Sequence, residues 1–306
     1  MKYHTIVNRE DLNSSHMIAY HYVQNISNGR ALKVLEVGCS AGYFGSMLCE
    51  TGHTVWGIEP DKEPSSEAEK VLDRVFQGDL SEFFSKHPDE RFDVIVFGDV
   101  LEHLISPDKF LSQSHKHLSK DGHVIASIPN VAHISVRAML FEGRWDYNEL
   151  GIMDETHLRF YTKNTITDLF SNANFFIDEI QYTRLSVTDI EIATGSYCNK
   201  EVVELIESVM HGDPSLDIFQ YVVLASSDSS LPNNFVENTG SKMDVFSNEY
   251  VKLNNNLSSR NKELEEELDI QTKRSSGLEQ SIDKIKKSTS WRITKAIRVL
   301  GRLVKK

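Results

Sequence analysis

The stretch 35-LEVGCSAGYFG-45 places Gly38, Gly42 and Gly45 where an apolar run gives way to a helical pattern. Glycines at such a turn let the backbone approach a ligand closely, and N–H groups at the helix start can receive a carboxylate or a phosphate. The spacing departs from the GxGxxG dinucleotide pattern, because Cys39-Ser40-Ala41-Gly42 follows the first glycine. Four acids fall at the ends of apolar runs: Glu36 in KVLEV, Glu59 in WGIEP, Asp79 in QGDL and Asp99 in FGDVLEHL. Glu59 stands about twenty residues past the glycines, where an acid accepts hydrogen bonds from both ribose hydroxyls and disfavours a 2′-phosphate. Asp79 can reach an adenine amino group. Several acids converging on one crevice suit a cofactor with a sulfonium and an amine better than a pyrophosphate.

A second group of residues suits an acceptor. His157, in DETHLRFYT, and His133 are candidate bases, since imidazole takes a proton near neutral pH. His103, in LEHL, is expected to shape the floor of the pocket and is the third candidate base. Arg137, Arg144 and Arg159 offer forked donors for a phosphate or a sugar acid, or pair with Asp146, Asp154 or Glu155. Trp145, Tyr147 and Tyr161 present aromatic faces that could stack on a pyranose or pack a lid. Asp99, Asp154, His133 and His157 could hold a divalent cation, but no spacing of metal-ligand type requires one.

The elements that must position these groups alternate along the chain. Apolar runs at 33–37, 53–59, 75–79, 91–99 and 122–129 read as strands, with helical patterns near 43–50, 64–72 and 107–119. That order predicts a doubly wound, Rossmann-like parallel sheet with ligands at its carboxyl edge. Residues 1–29 are expected to form an N-terminal helical cap, and 30–226 the main domain. Within it, 130–162 reads as an inserted lid over the acceptor. A helix near 163–173, a strand at 174–183, a helix near 200–210 and a last strand at 218–226 follow, with an antiparallel closing pair of strands expected.

Composition then changes. Residues 227–246 read as a linker. Tyr250, Leu257, Leu264, Leu278 and Ile285 fall seven or fourteen apart, which predicts a coiled coil over 247–287 and a homo-oligomer, although Asn254, Asn261, Gln271 and Ser275 also fall on the seam. From 288 to 306 a basic amphipathic helix with Trp291 could lie on an anionic membrane or dock on a glycan-assembly protein. The net charge of −12 is a sum of unlike parts: residues 283–306 carry nine basic side chains and one acid, for +8, and the remainder carries −20. So acidic a body argues against nucleic-acid partners. Three cysteines make no disulfide scaffold, the first residues lack an apolar signal core, and no run of about 18 apolar residues occurs. A cytoplasmic chain, peripheral on the inner face of the membrane, is expected.

Five motifs in order, LEVGCSAGYFG, the acid at Glu59, GD at 78–79, DVIVFGDVLEHL and LSKDGHVIASIPN, resemble the class I S-adenosylmethionine-dependent methyltransferases over roughly residues 30–225. The resemblance implies S-adenosyl-L-methionine as cofactor and a seven-stranded sheet with a reversed last strand. It implies that Gly38 and Gly42 back the methionine part, that Glu59 binds the ribose and Asp79 the adenine, and that Glu36 holds the glycine loop or approaches the methionine amine. The segment 129–165 and the ending STSWRITKAIR resemble enzymes of bacterial surface-polysaccharide and glycan pathways. They imply O-methylation of a sugar hydroxyl on a glycan or sugar precursor. A quinone-like or other small acceptor, or a non-catalytic assembly factor, are the alternatives.

Overall fold

A computed structural model describes residues 8–194 and 198–227, with the isolated positions 273 and 284. The expected linker, coiled coil and basic helix lie outside the described residues. The chain separates into two units, residues 1–239 and 240–306, and the description below concerns the first.

Seven strands form one sheet: β1 (Lys33–Val37), β2 (Thr54–Glu59), β3 (Arg74–Gln77), β4 (Phe92–Gly98), β5 (Leu118–Pro129), β6 (Phe176–Arg184) and β7 (Ile218–Ser226). Their order is β3-β2-β1-β4-β5-β7-β6. The pairs from β3 through β5 are parallel, and β7 runs antiparallel to both β5 and β6. This is the doubly wound sheet with a reversed closing strand that the sequence predicts. Its central strands are apolar on both faces because helices cover both. Val34, Leu35, Val94, Ile95, Phe97, Val124 and Ile125 are fully buried.

The helices are α1 (Ser15–Ser27), α2 (Tyr43–Glu50), α3 (Lys62–Ala68), α4 (Leu80–Lys86), α5 (Pro107–Ser114), α6 (Ile134–Phe141), α7 (Lys163–Asn172), α8 (Val187–Thr194) and α9 (Lys200–Val209). Five depart from the sequence reading, two of them, α4 and α6, lying where no helix was expected. α3 ends at Ala68 and the chain turns through 70–72. α5 stops at Ser114, because Leu118 already pairs with Phe92 and β5 starts there. α8, in the β-branched run VTDIEIAT, was not expected as a helix. α6 and the segment 148–154, both within the expected lid, pack with α8, which lies outside its 130–162 bounds. There Gly151 comes so close to Thr194 that an added Cβ would meet its methyl at 3.1 Å.

Strand order reverses between β1 and β4. A doubly wound sheet opens a crevice at such a point, beyond the carboxyl ends of the two strands. Val37 and Phe97 are buried, and the glycines that follow them, Gly38 and Gly98, are exposed. No helix of the described residues is long and apolar enough to cross a membrane.

Candidate active site

The glycine turn forms one wall of the crevice. Gly38 and Gly42 sit at φ of +70° and +79°, a region that glycine enters without a Cβ penalty. Gly42 caps α2 with no side-chain bond, and the first turn of α2 holds no acid. Gly45 lets α2 approach the sheet: an added Cβ would lie 2.5 Å from Glu36 Oε2. Glu36 is buried, and that oxygen has no hydrogen-bond partner. Burial pushes its carboxyl up to about 8, against the pull of the Gly45 amide.

Glu59 reaches back to the same turn. Its Oε2 accepts from the Ser40 amide at 2.9 Å and its Oε1 from the Asp61 amide at 3.0 Å. Ser40 itself is left-handed, at φ +47°. A carboxylate has about four acceptor positions, so two remain for ribose hydroxyls. Burial raises the Glu59 pKa despite both amides. Asp79 is exposed and caps α4, its Oδ1 accepting from the Glu82 amide at 2.8 Å.

Asp99 ends β4 at φ +53°, in the left-handed region that a non-glycine residue occupies only when its surroundings enforce it. Ser127 on β5 and Gln220 on β7 do so. The Ser127 hydroxyl accepts from the Asp99 amide at 3.0 Å and donates to Oδ1 at 2.9 Å, and Gln220 Nε2 donates to the same oxygen at 2.8 Å. His16, on α1, lies near enough for Asp99 to oppose the lowering of its pKa by burial. Sequence reasoning missed Ser127, Gln220 and His16, because the first two gain their meaning only from β-sheet neighbours and the third from the packing of α1.

Past Asp99 lies the chemically richest cluster. Glu102, His103 and His157 each bring one ligand atom within 4.8 Å of the others. Glu102 is 1% exposed, and neither carboxylate oxygen has a partner. Burial, reinforced by Asp99 and Asp154, raises its pKa well above the usual range. Its backbone carbonyl receives the Leu158 and Arg159 amides at 2.9 and 3.0 Å, which fastens the end of the lid over it. The His103 and His157 rings meet edge-on, with centroids 4.7 Å apart. His157 Nδ1 lies 3.0 Å from the Ile152 carbonyl, so that nitrogen carries the proton and Nε2 has the free lone pair. Burial lowers the His157 pKa, and His103 adds to the effect. One buried carboxylate with two imidazoles is a set that can move a proton or hold a divalent cation. The sequence reading contained Glu102 only as a letter of LEHL; its place directly before His103 was the available signal.

The remaining candidates divide. His133 is fully buried as the cap of α6, with Nδ1 2.9 Å from Ser135 Oγ and Nε2 2.9 Å from the Leu185 carbonyl. Arg137 ties α6 to the 213–215 turn through Asp213 at 3.2 Å and Ser215 at 3.2 Å. Asp154 is buried and accepts from the Thr156 amide and hydroxyl at 2.8 and 2.6 Å. Tyr161 belongs to the main core. These four partnerships hold the lid in shape. Arg159 reaches the Ile105 carbonyl at 2.7 Å from an exposed position. Arg144 pairs with Glu142 and Asp146 at 2.8 and 2.5 Å. Trp145 and Tyr147 are 40% and 53% exposed and flank Phe160, which lies 6.3 Å, centroid to centroid, from His157.

The chain matches the Methyltransferase domain family over residues 15–180, more than half its length. It is 28% identical over 169 residues to a ubiquinone biosynthesis O-methyltransferase of Proteus mirabilis, covering 48% of this chain and 68% of that one. It is 30% identical over 117 residues to a probable S-adenosylmethionine-dependent methyltransferase of Mycolicibacterium smegmatis, covering 38% and 44%. The chain spans only 51% and 44% of the ubiquinone biosynthesis O-methyltransferases of Pasteurella multocida and Pseudomonas entomophila. The fold matches that of a SAM dependent methyltransferase from Archaeoglobus fulgidus with a TM-score of 0.50 at 16% identity, over 71% of this chain and 97% of that one. With the glycine turn, the acid-lined crevice and the reversed last strand in place, this chain belongs to the Methyltransferase domain family, as an S-adenosylmethionine-dependent methyltransferase of the class I fold.

Proposed function

We propose that the chain O-methylates a small hydroxylated acceptor, and that the Glu102–His103–His157 cluster takes up the hydroxyl proton. The observation that carries this reading is Glu102: a carboxyl group 1% exposed, both oxygens unpartnered, beside two imidazoles. Leaving such a group unpaired costs about 1–3 kcal/mol or more, which a structural role does not return.

Bound S-adenosylmethionine supplies an electrophilic methyl group on a sulfonium. The crevice fits it by donor chemistry. The open N-terminus of α2 suits its carboxylate, the unfilled acceptor positions of Glu59 suit its ribose, and Asp79 and Asp99 suit its adenine and its cationic part. His157, kept neutral by burial, offers Nε2 to the acceptor hydroxyl and carries its proton away as the imidazolium, beside Glu102. The Leu158 and Arg159 amides fasten the lid segment to the Glu102 carbonyl and so hold His157 at the cluster.

The relatives named as ubiquinone biosynthesis O-methyltransferases support a ring hydroxyl on a small molecule. A sugar hydroxyl is a second reading, favoured by the exposed rings of Trp145 and Tyr147 beside Arg144, which could stack on a pyranose. Mass analysis of catechols and of sugars incubated with the chain and labelled cofactor decides between them; methylation of neither class refutes O-methyl transfer to both. The same cluster also fits a divalent cation, which would acidify the hydroxyl directly. Activity lost on chelation and restored by Mn²⁺ would assign that role to Glu102, His103 and His157.

A further inference from the structure

A second concavity lies near the Glu102–His103–His157 cluster, with Phe160 packed against its apolar group. α6, the segment 148–153 and α8 enclose a cavity of about 120 Å³. Its floor is apolar: Val136, Met139, Ile152, Met153 and Ile190 are all buried and form one packed group, with Phe160 against its edge. Its rim is polar and already self-paired. Arg144 bridges Glu142 and Asp146 there, and the Asp146 amide points to Met139 Sδ at 3.3 Å. A closed apolar cavity of roughly 150 Å³ admits benzene and stays dry. This one is somewhat smaller and open at the rim, so a ring can enter without being fully enclosed.

The cavity is mechanically joined to the chemistry. Ile152 contributes its side chain to the cavity floor and its carbonyl to His157 Nδ1 at 3.0 Å. The segment that carries it is rigid: the Asn148 amide donates to the Met153 carbonyl at 2.8 Å, and the Glu155 amide returns to Asn148 at 2.9 Å. Phe160 packs against the cavity group, and its ring lies 6.3 Å, centroid to centroid, from that of His157. The cavity group and the His157 ring thus share Ile152 and Phe160 as neighbours. Packing alone does not call for such a space, since an unfilled apolar gap forfeits dispersion contacts.

We infer that this cavity is an acceptor subsite for one apolar group of about benzene size, carried by the molecule whose hydroxyl is methylated. The inference rests on the O-methyl-transfer reading and adds that the acceptor is amphipathic. Occupancy of the cavity presses on Ile152 and so settles the imidazole that its carbonyl holds. A purely polar acceptor leaves the subsite unused.

The test uses the full chain labelled at its methionine methyl groups and titrated with fluorobenzene. Met139 and Met153 signals should shift saturably while those of Met17 and Met47 stay in place. Ile190→Trp fills the cavity from α8 and Val136→Phe from α6; each should weaken fluorobenzene binding about tenfold or more. Cofactor affinity measured by calorimetry checks that the variants are folded, and two variants from different helices guard against the misfolding of one. Methyl transfer is then compared on catechol and 4-benzylcatechol. Wild type should favour the substituted ring by about tenfold in kcat/KM, and Ile190→Trp should lose that preference. No shift at Met139 and Met153, or an unchanged preference in the filled variants, overturns the subsite. A chain that binds fluorobenzene but methylates neither catechol fails at the methyl-transfer reading, and the acceptor subsite falls with it. A chain that methylates both equally fails at the subsite alone.

Discussion

Gln220 Nε2 donates to Asp99 Oδ1 at 2.8 Å, joining residues 121 positions apart at the carboxyl edge of the sheet. The bond exists because β7 inserts antiparallel between β5 and β6, bringing Gln220 opposite Pro129 at the end of β5. Together with Ser127 it fixes a carboxylate on a left-handed backbone. Gln220→Leu should therefore free Asp99 to turn away from the crevice. A hydrogen bond to a charged group is worth about 1.5–3 kcal/mol, so cofactor affinity should fall by roughly ten- to a hundredfold. Calorimetric titration of S-adenosylhomocysteine measures this. Unchanged affinity would remove Asp99 from the cofactor contacts.

On the proposed reading, His157 accepts the acceptor's proton at Nε2, the ring nitrogen not held by the Ile152 carbonyl. His157→Ala should lower kcat by about 10²- to 10⁴-fold and leave cofactor affinity nearly unchanged. The pH profile carries a second, independent signature. Burial lowers the imidazole pKa, so its neutral form persists below the ordinary value of about 6.5, and the acid limb of the wild-type rate should lie below that pH. In the alanine variant this limb should vanish. Cofactor binding lost in parallel with the rate would make His157 a lid-shaping residue instead.

Glu36 gives stability a pH dependence whose sign follows from its shift. Its carboxyl is raised from 4.5 to about 8 in the folded chain. A group raised on folding supports the fold fully below its unfolded pKa, and that support is lost as pH rises through the folded one. The window is therefore from 4.5 to about 8. Glu36→Gln keeps a neutral group at every pH. Its stability relative to wild type should rise across that window, by an amount on the order of a few kcal/mol. Urea unfolding of both proteins at pH 5 and pH 9, without cofactor, supplies the comparison. A constant difference would mean that Glu36 is not desolvated in solution.

Much of this site could be read from single letters. Strand ends show in sequence as apolar runs meeting Gly or an acid, and the chemistry of a crevice at a switch point sits on those ends. The places of Gly38, Glu59 and Asp99 at strand ends were legible for that reason. Residues whose role depends on a distant strand were not: Ser127 and Gln220 look like ordinary strand polars until β5 and β7 are placed beside β4. Glu102 was hidden by its burial, since a glutamate in a polar motif reads as exposed unless its surroundings are known. His133 presents the opposite difficulty, because a helix cap with a partner at both ring nitrogens cannot be told from a base by position. Helix α8 escaped because β-branched residues argue against a helix, and packing against α6 overrides that propensity.

Glu59 offers the sharpest separation of a binding role from a structural one. Its carboxylate already holds the Ser40 and Asp61 amides, so Glu59→Ala should both loosen the glycine turn and remove the acceptors for ribose. Loss of affinity alone would not say which effect dominates. The 2′-deoxy form of S-adenosylhomocysteine removes one ribose hydroxyl without touching the protein. Wild type should bind it about tenfold more weakly than the parent compound, the worth of one hydrogen bond to a charged group. Glu59→Ala should bind both compounds with the same reduced affinity, because the hydroxyl no longer has its partner. A variant that still preferred the parent compound by the wild-type ratio would place the 2′-hydroxyl elsewhere and leave Glu59 as the clamp of the turn alone.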